Sequence, residues 1–289
     1  MTDTESPIDD SPLRDVMQRH GIELPKSKTR LLFRYCNLLW EWNEKINLTR
    51  HTDFEKFVTR DLLDTMRLAD LLQRGEHVLD VGSGGGVPGV VLAVIRPDLN
   101  VELCDSTGKK TLVLAEIVDK LSLKVSVWNA KAENLLKVNK YTTLLIRAVA
   151  RMPKLLDWFA PHWQSFDRML LIKGPSWLDE RGESRHYNKL AKLALRKLAA
   201  YPIPDSENES VILQICQNDK LSTMEKIIEE HIKSSPVIGV SNKTEAKPNK
   251  KKKFTPRKKQ TTKRLKGDVK TKGDIKREAK AKQNSRRGR

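Results

Sequence analysis

Residues 77–93 read HVLDVGSGGGVPGVVLA. Four glycines, Gly82, Gly84, Gly85 and Gly86, fall within five positions, between two apolar runs. Strand, glycine turn and helix in succession deliver backbone N–H groups and a helix N-terminus to one point, where a ligand can approach the chain closely. A tight turn alone does not require so many glycines. The loop lacks the GxxxxGK[ST] pattern of a phosphate-cradling P-loop. It departs from GxGxxG by one position, a weak argument against a dinucleotide because glycine spacing varies. Asp80, two residues before the first glycine, would repel a pyrophosphate and suits a ligand carrying an amino or sulfonium charge.

The surrounding rhythm sets the fold class. Expected strands at 77–81, 100–105, 124–129, 141–149, 168–174 and 210–216 alternate with expected helices at 87–96, 108–122, 153–163 and 184–199. Such alternation gives an α/β, doubly wound, mostly parallel sheet covered on both faces. The last strand, after its long excursion, is read as a candidate antiparallel edge. Three helical patterns precede the sheet, over about 12–20, 26–43 and 53–73, with apolar residues at three- and four-residue spacing. The expected organisation is therefore a disordered 1–10, a helical subdomain over 11–74, a ligand-binding domain over 75–218, a linker or polar helix over 219–240, and a disordered tail over 241–289.

Charge is distributed unevenly. The chain carries a net +18 over 289 residues, and residues 241–289 hold 21 Lys/Arg against 4 Asp/Glu. The remaining 240 residues are nearly neutral. The tail is too poor in apolar mass to offset chain entropy by burial. Its cations are expected to attract phosphate backbones without reading sequence, although such a run also serves as a solubilising or localisation segment. Deleting 241–289 should cost salt-dependent affinity for a phosphate backbone and leave the affinity for the glycine-loop ligand unchanged. The expected helix around 184–199, with Arg181, Arg185, Lys189, Lys192, Arg196 and Lys197, either extends that basic surface or is an ordinary solvated face.

Cys36, Cys104 and Cys216 lie far apart in apolar contexts, so each reads as a buried core thiol. No metal-ligand spacing and no apolar run of about 18 residues stands out. The polar, acidic start is unlike a signal peptide. These features lead to the expectation of a cytoplasmic chain without metal or membrane; a monomer is the default expectation.

Asp105 ends the second strand, 23 residues after Gly82, where a carboxylate can accept hydrogen bonds from both ribose hydroxyls; it is equally placed to cap the next helix. Asp80, Gly82, Gly84 and Asp105 together favour S-adenosyl-L-methionine over a nicotinamide dinucleotide. Arg147 interrupts an apolar strand, LLIRAV, and a charge there needs a partner or an open cavity. Lys173 ends the fifth strand at the same sheet edge and is either a substrate contact or a strand-end lysine.

Several segments in order, WNEKINLT (42–49), RDLLDT (60–65), LDVGSGGGVPGVVLA (79–93), RPDLNVELCDSTGKK (96–110), KAENL (131–135), IRAVA (146–150) and LIKG (171–174), resemble the ribosomal RNA small subunit methyltransferase G family, also called GidB. The resemblance covers about 35–220. It implies a Rossmann-like class I methyltransferase fold and an enzyme that uses S-adenosylmethionine to methylate N7 of a guanine in 16S ribosomal RNA. It also implies that Gly82 and Val87 line the cofactor pocket, that Ala132 and Glu133 flank the adenine, and that Arg147 sits at the rim. The family usually has His where this chain has Asp61, and the lysine-rich tail is not a general family feature.

Guanine N7 bears an in-plane lone pair and no proton, so no general base is expected, and none of the six histidines is arranged to act as one. Arg147 and Lys173 are the candidates for holding guanine O6 or phosphate. Two other readings remain beside this one: a methyltransferase for a small molecule or protein, and a non-catalytic ribosomal RNA-binding assembly factor with a relic cofactor fold. The basic tail favours RNA over a small molecule, and the intact acid–glycine set disfavours the relic.

Overall fold

The computed structural model describes residues 9–204 and 206–226. The segments expected to be disordered, apart from Asp9 and Asp10, and most of the expected linker lie outside the described residues.

The first turn of α1 (Ser11–Arg19) tolerates Pro12, whose missing N–H would have no helical partner there. In α2 (Lys26–Asn43) one stripe, including Leu32, Tyr35, Cys36 and Leu39, is buried. The third helical pattern is not continuous. It consists of α3 (Phe54–Lys56), a π-helical turn (Phe57–Leu62) and α4 (Leu63–Ala69).

The sheet follows, with β1 (His77–Val81), β2 (Asn100–Asp105), β3 (Ser126–Asn129), β4 (Tyr141–Arg147), β5 (Phe166–Lys173), β6 (Leu193–Pro202) and β7 (Glu209–Gln217). Its order is β3-β2-β1-β4-β5-β7-β6. The first five strands are parallel; β7 runs antiparallel to β5, and β6 antiparallel to β7. The strands are connected through α5 (Gly89–Ile95), α6 (Gly108–Lys120), α7 (Ala132–Leu135), α8 (Met152–Phe159) and α9 (Trp177–His186).

Alternation along the strands sends successive side chains to opposite faces. Val78, Leu103, Leu145, Leu170 and Ile212 join the core beneath α1, α2, α4, α5 and α6. Leu79, Cys104, Ile146, Leu171 and Leu213 join the core beneath α7 and α8. The N-terminal helices thus share one apolar core with the sheet. All three cysteines are free and buried, and among the described residues no helix is long and apolar enough to cross a membrane.

Two expectations need correction. The stretch 184–199 is not one helix: α9 ends at His186, and Leu193–Pro202 is strand β6. Pairing with β7 along nine positions, with a bulge between Lys197 and Ala199, overrides the helical propensity of its Leu, Ala, Lys and Arg residues. The last strand, β7, is antiparallel but internal; β6 takes the edge, where Arg196 and Lys197 are exposed. Charged side chains on an edge discourage pairing with another chain.

Candidate functional site

Strand order reverses between β1 and β4, and a crevice opens at their carboxyl ends, as in other doubly wound sheets. A cleft of about 960 Å³ occupies this position. Gly82, Gly84, Val87, Arg147 and Lys173 all line it. Asp105 ends β2, and Ala132 and Glu133 open α7 after β3; none of the three is on that wall. Asp80 is not on the wall either, being only 1% exposed.

Asp80 holds the loop from beneath. Its Oδ2 accepts the N–H of Gly89 at 2.9 Å, where α5 begins. A Cβ on Gly89 would lie 2.2 Å from Leu103 and 2.6 Å from the same Oδ2, so only glycine permits this approach. Burial raises the Asp80 carboxyl to about 7, against the opposing effect of the Gly89 N–H. Its position therefore differs from the direct charge contact read from the sequence.

Other residues fix the loop from outside. Tyr35 Oη, fully buried on α2, donates to the carbonyl of Gly85 at 2.8 Å. Asn43 Oδ1 accepts from the N–H groups of Leu48 and Thr49 at 2.8 and 2.9 Å, which shapes the NLT segment into a second wall of the cleft. This gives a physical reason for Asn43 in WNEKINLT that sequence reasoning did not supply.

Arg147 has both features its position demands, a partner and an open cavity. Its Nη2 lies 2.6 Å from Asp61 Oδ1 and its Nε 3.2 Å from Asp64 Oδ2. Both acids are buried, and Tyr201 Oη donates to Asp64 Oδ1 at 2.8 Å. Burial alone would lower the guanidinium pKa; the two carboxylates outweigh it and hold it above its ordinary value. For Asp64, burial dominates over Arg147 and raises the carboxyl. No partner for Arg147 Nη1 is found among the described residues, and the side chain keeps 20% of its exposure. Ala148, next in the chain, has φ +56°, a strained value for a residue with a Cβ, of the kind that gathers at functional sites.

Lys173 is engaged within the protein. Its Nζ donates to the Ala150 carbonyl and to Glu180 Oε2, both at 2.8 Å, and Glu180 Oε2 also accepts the Met152 N–H at 2.7 Å. The pair pins the segment 148–152 that follows Arg147.

A family model described as rRNA small subunit methyltransferase G (GidB) matches residues 28–204. The chain belongs to this family. A ribosomal RNA small subunit methyltransferase G of Rhodopirellula baltica is 50% identical over 194 residues, which cover 67% of this chain and 84% of that protein. One from Thermotoga neapolitana is 34% identical over 204 residues, covering 70% of this chain and 88% of its own length. Another, from Clostridium perfringens, is 34% identical over 173 residues, covering 57% and 72%.

The residues present fit an adenosyl donor. Asp105 Oδ2 accepts the Gly84 N–H at 3.1 Å and its Oδ1 the Thr107 N–H at 2.8 Å. Each oxygen keeps a second lone pair for a ribose hydroxyl. Gly84 has φ +57°, and an added Cβ there would meet no heavy atom closer than 3.8 Å, so the loop presents open space at that point. Ala132 and Glu133 open α7 at the same sheet edge, Ala132 buried and Glu133 half-buried.

Proposed function

We infer that this chain transfers a methyl group from S-adenosylmethionine to N7 of a guanine in small-subunit (16S) ribosomal RNA. Membership of the methyltransferase G family, with a glycine-walled cleft at the sheet's switch point, carries this reading. Asp105, Gly82, Gly84, Val87, Ala132 and Glu133 would hold the donor, whose sulfonium supplies an electrophilic methyl when bound.

The chain's own task is then mostly positional. N7 needs no deprotonation, so rate comes from holding its lone pair in line and excluding water. Guanine presents O6 and N7 as adjacent acceptors. Arg147, clamped through Nη2 and Nε, has Nη1 left to donate to O6 and so to fix the rotation of the base. Lys173 and Glu180 contribute by immobilising the segment that carries Ala148 and Val149. A target guanine must leave its stack to reach the cleft, at a cost of a few kcal/mol that is lower for an unpaired base. We place the reaction in the cytoplasm, with the chain acting as a monomer.

Incubation with methyl-labelled S-adenosylmethionine and small ribosomal subunits, followed by base mapping, tests the assignment. Label at N7 of one guanine is expected. RNA binding without transfer would instead support a non-catalytic assembly role, and label on a protein or small molecule would redirect the substrate class.

A further inference from the structure

The cleft has more positive charge than its acids can neutralise. Three carboxylates stand on its wall, Asp61, Asp64 and Glu180. The first two are taken by Arg147 and the third by Lys173. Arg151, also on the wall, pairs with Glu183. Arg50, Arg60 and Lys110 line the same cleft and make no side-chain hydrogen bond or ion pair among the described residues, although the Arg60 charge also acts on Asp64. They come from three separate elements: the loop after the NLT segment, the π-helical turn, and the first turn of α6. Arg60 is half-buried, and its Nε is shielded from solvent with no hydrogen-bond partner. A desolvated, unpaired donor on a cation is unfavourable unless an anion completes it.

We propose that Arg50, Arg60 and Lys110 form a phosphate-binding site that grips the RNA backbone beside the target nucleotide. This rests on the reading of the chain as a ribosomal RNA methyltransferase. The phosphodiester is the anion whose chemistry matches: multiple acceptor oxygens, one charge per nucleotide, and a spacing that spreads over several cations. The cleft thereby positions the strand by its backbone while Arg147 orients the base. The half-buried Arg60 would be the anchor, and the exposed Arg50 an outer contact.

The test compares wild-type full chain with R50Q/R60Q/K110Q for binding to small-subunit ribosomal RNA across a salt series. Losing three phosphate contacts should make the log–log salt slope shallower by about 2 to 3. KM for RNA should rise at fixed salt, while the melting temperature and calorimetric affinity for S-adenosylhomocysteine stay unchanged. R50K/R60K, which retains the charge, should keep the wild-type slope. Arg50→Gln alone, at an exposed position where folding is safe, should lower the slope by about 0.7 to 0.9. An unchanged slope in the triple variant would overturn the proposal. So would loss of S-adenosylhomocysteine affinity at an unchanged slope, because the cations would then serve the donor's carboxylate. The binding series reads this proposal whether or not methyl transfer is seen; labelling by the wild-type chain separately reads the assigned activity.

Discussion

Arg147 and Arg168 sit on neighbouring strands, β4 and β5, and point to the same face of the sheet, near opposite ends of it. Arg168 is fully buried at the amino end. It meets Glu76 Oε1 at 2.9 Å, Thr143 Oγ1 at 2.9 Å, the Leu71 carbonyl at 2.8 Å and Gln214 Oε1 at 3.3 Å. One acid balances one base, and Thr143 also donates to Glu76 Oε2 at 2.8 Å. Arg147, at the carboxyl end, meets two buried acids and leaves one edge toward a cleft. A charge enclosed on all sides serves the fold. A charge over-matched from behind and open in front is held ready for something that arrives. The difference between the two arginines separates scaffold from site on a single sheet.

The comparison breaks most visibly at Arg168. Arg168→Met leaves Glu76 buried without its cation and should destabilise the chain by about 3–5 kcal/mol, read as a lowered urea midpoint. Arg147→Gln should cost less stability, since the glutamine amide can still donate toward Asp61 and the site borders the open cleft. Its expected loss is instead in turnover, about 10²–10³-fold in kcat, the size found when one preorganised donor is removed. If Arg147→Gln unfolded the chain and Arg168→Met spared it, the assignment of scaffold and site would be reversed.

Asp80 supplies a third buried charge, on β1, and sharpens the contrast because no cation pairs with it among the described residues. Its carboxyl is raised from 3.8 to about 7 by burial. The folded state therefore binds a proton that the unfolded chain releases across that interval. This contribution to stability is complete below the unfolded value and fades as pH rises through about 7. Relative to Asp80→Asn, the wild-type chain should gain about 2 kcal/mol between pH 7 and pH 5, from urea midpoints at each pH. A difference between the two proteins that does not change with pH would show that Asp80 stays ionised beneath the loop.

How much of this the sequence disclosed depends on whether a feature is local. The glycine loop, the mostly parallel strand–helix alternation and the acid ending β2 are written in contiguous residues with their own periodicity, and they are readable there. Arg147 was visible as an anomaly in an apolar strand, but its partners were not. Asp61 and Asp64 face the cleft from a π-helical turn and the start of α4, within what reads as one long helix. Nothing in FVTRDLLDT reveals the change in winding. Strand β6 was misread because LALRKLAAYP is made of good helix formers, and only the open edge of β7 makes it a strand. Asp80 was legible as unusual and not as buried, since burial depends on Leu103 and α5 closing over it.

The smallest effect tests whether β6 belongs to the site or to the scaffold. Tyr201, 5% exposed on β6, donates to Asp64 Oδ1, and Asp64 in turn holds Arg147 Nε. Burial, reinforced by Asp64, raises its phenol well above the ordinary value, so it acts as a donor throughout the working pH range. Tyr201→Phe removes one hydrogen bond from a buried carboxylate and should cost about 1 kcal/mol of stability. With one donor fewer, Asp64 takes up a proton more readily and holds Arg147 Nε less firmly. A few-fold fall in kcat should follow, with KM for RNA unchanged and the loss largest at the acid end of the pH profile. A fall as large as that of Arg147→Gln would instead mean that Tyr201 meets the substrate directly, which would move β6 from scaffold into site.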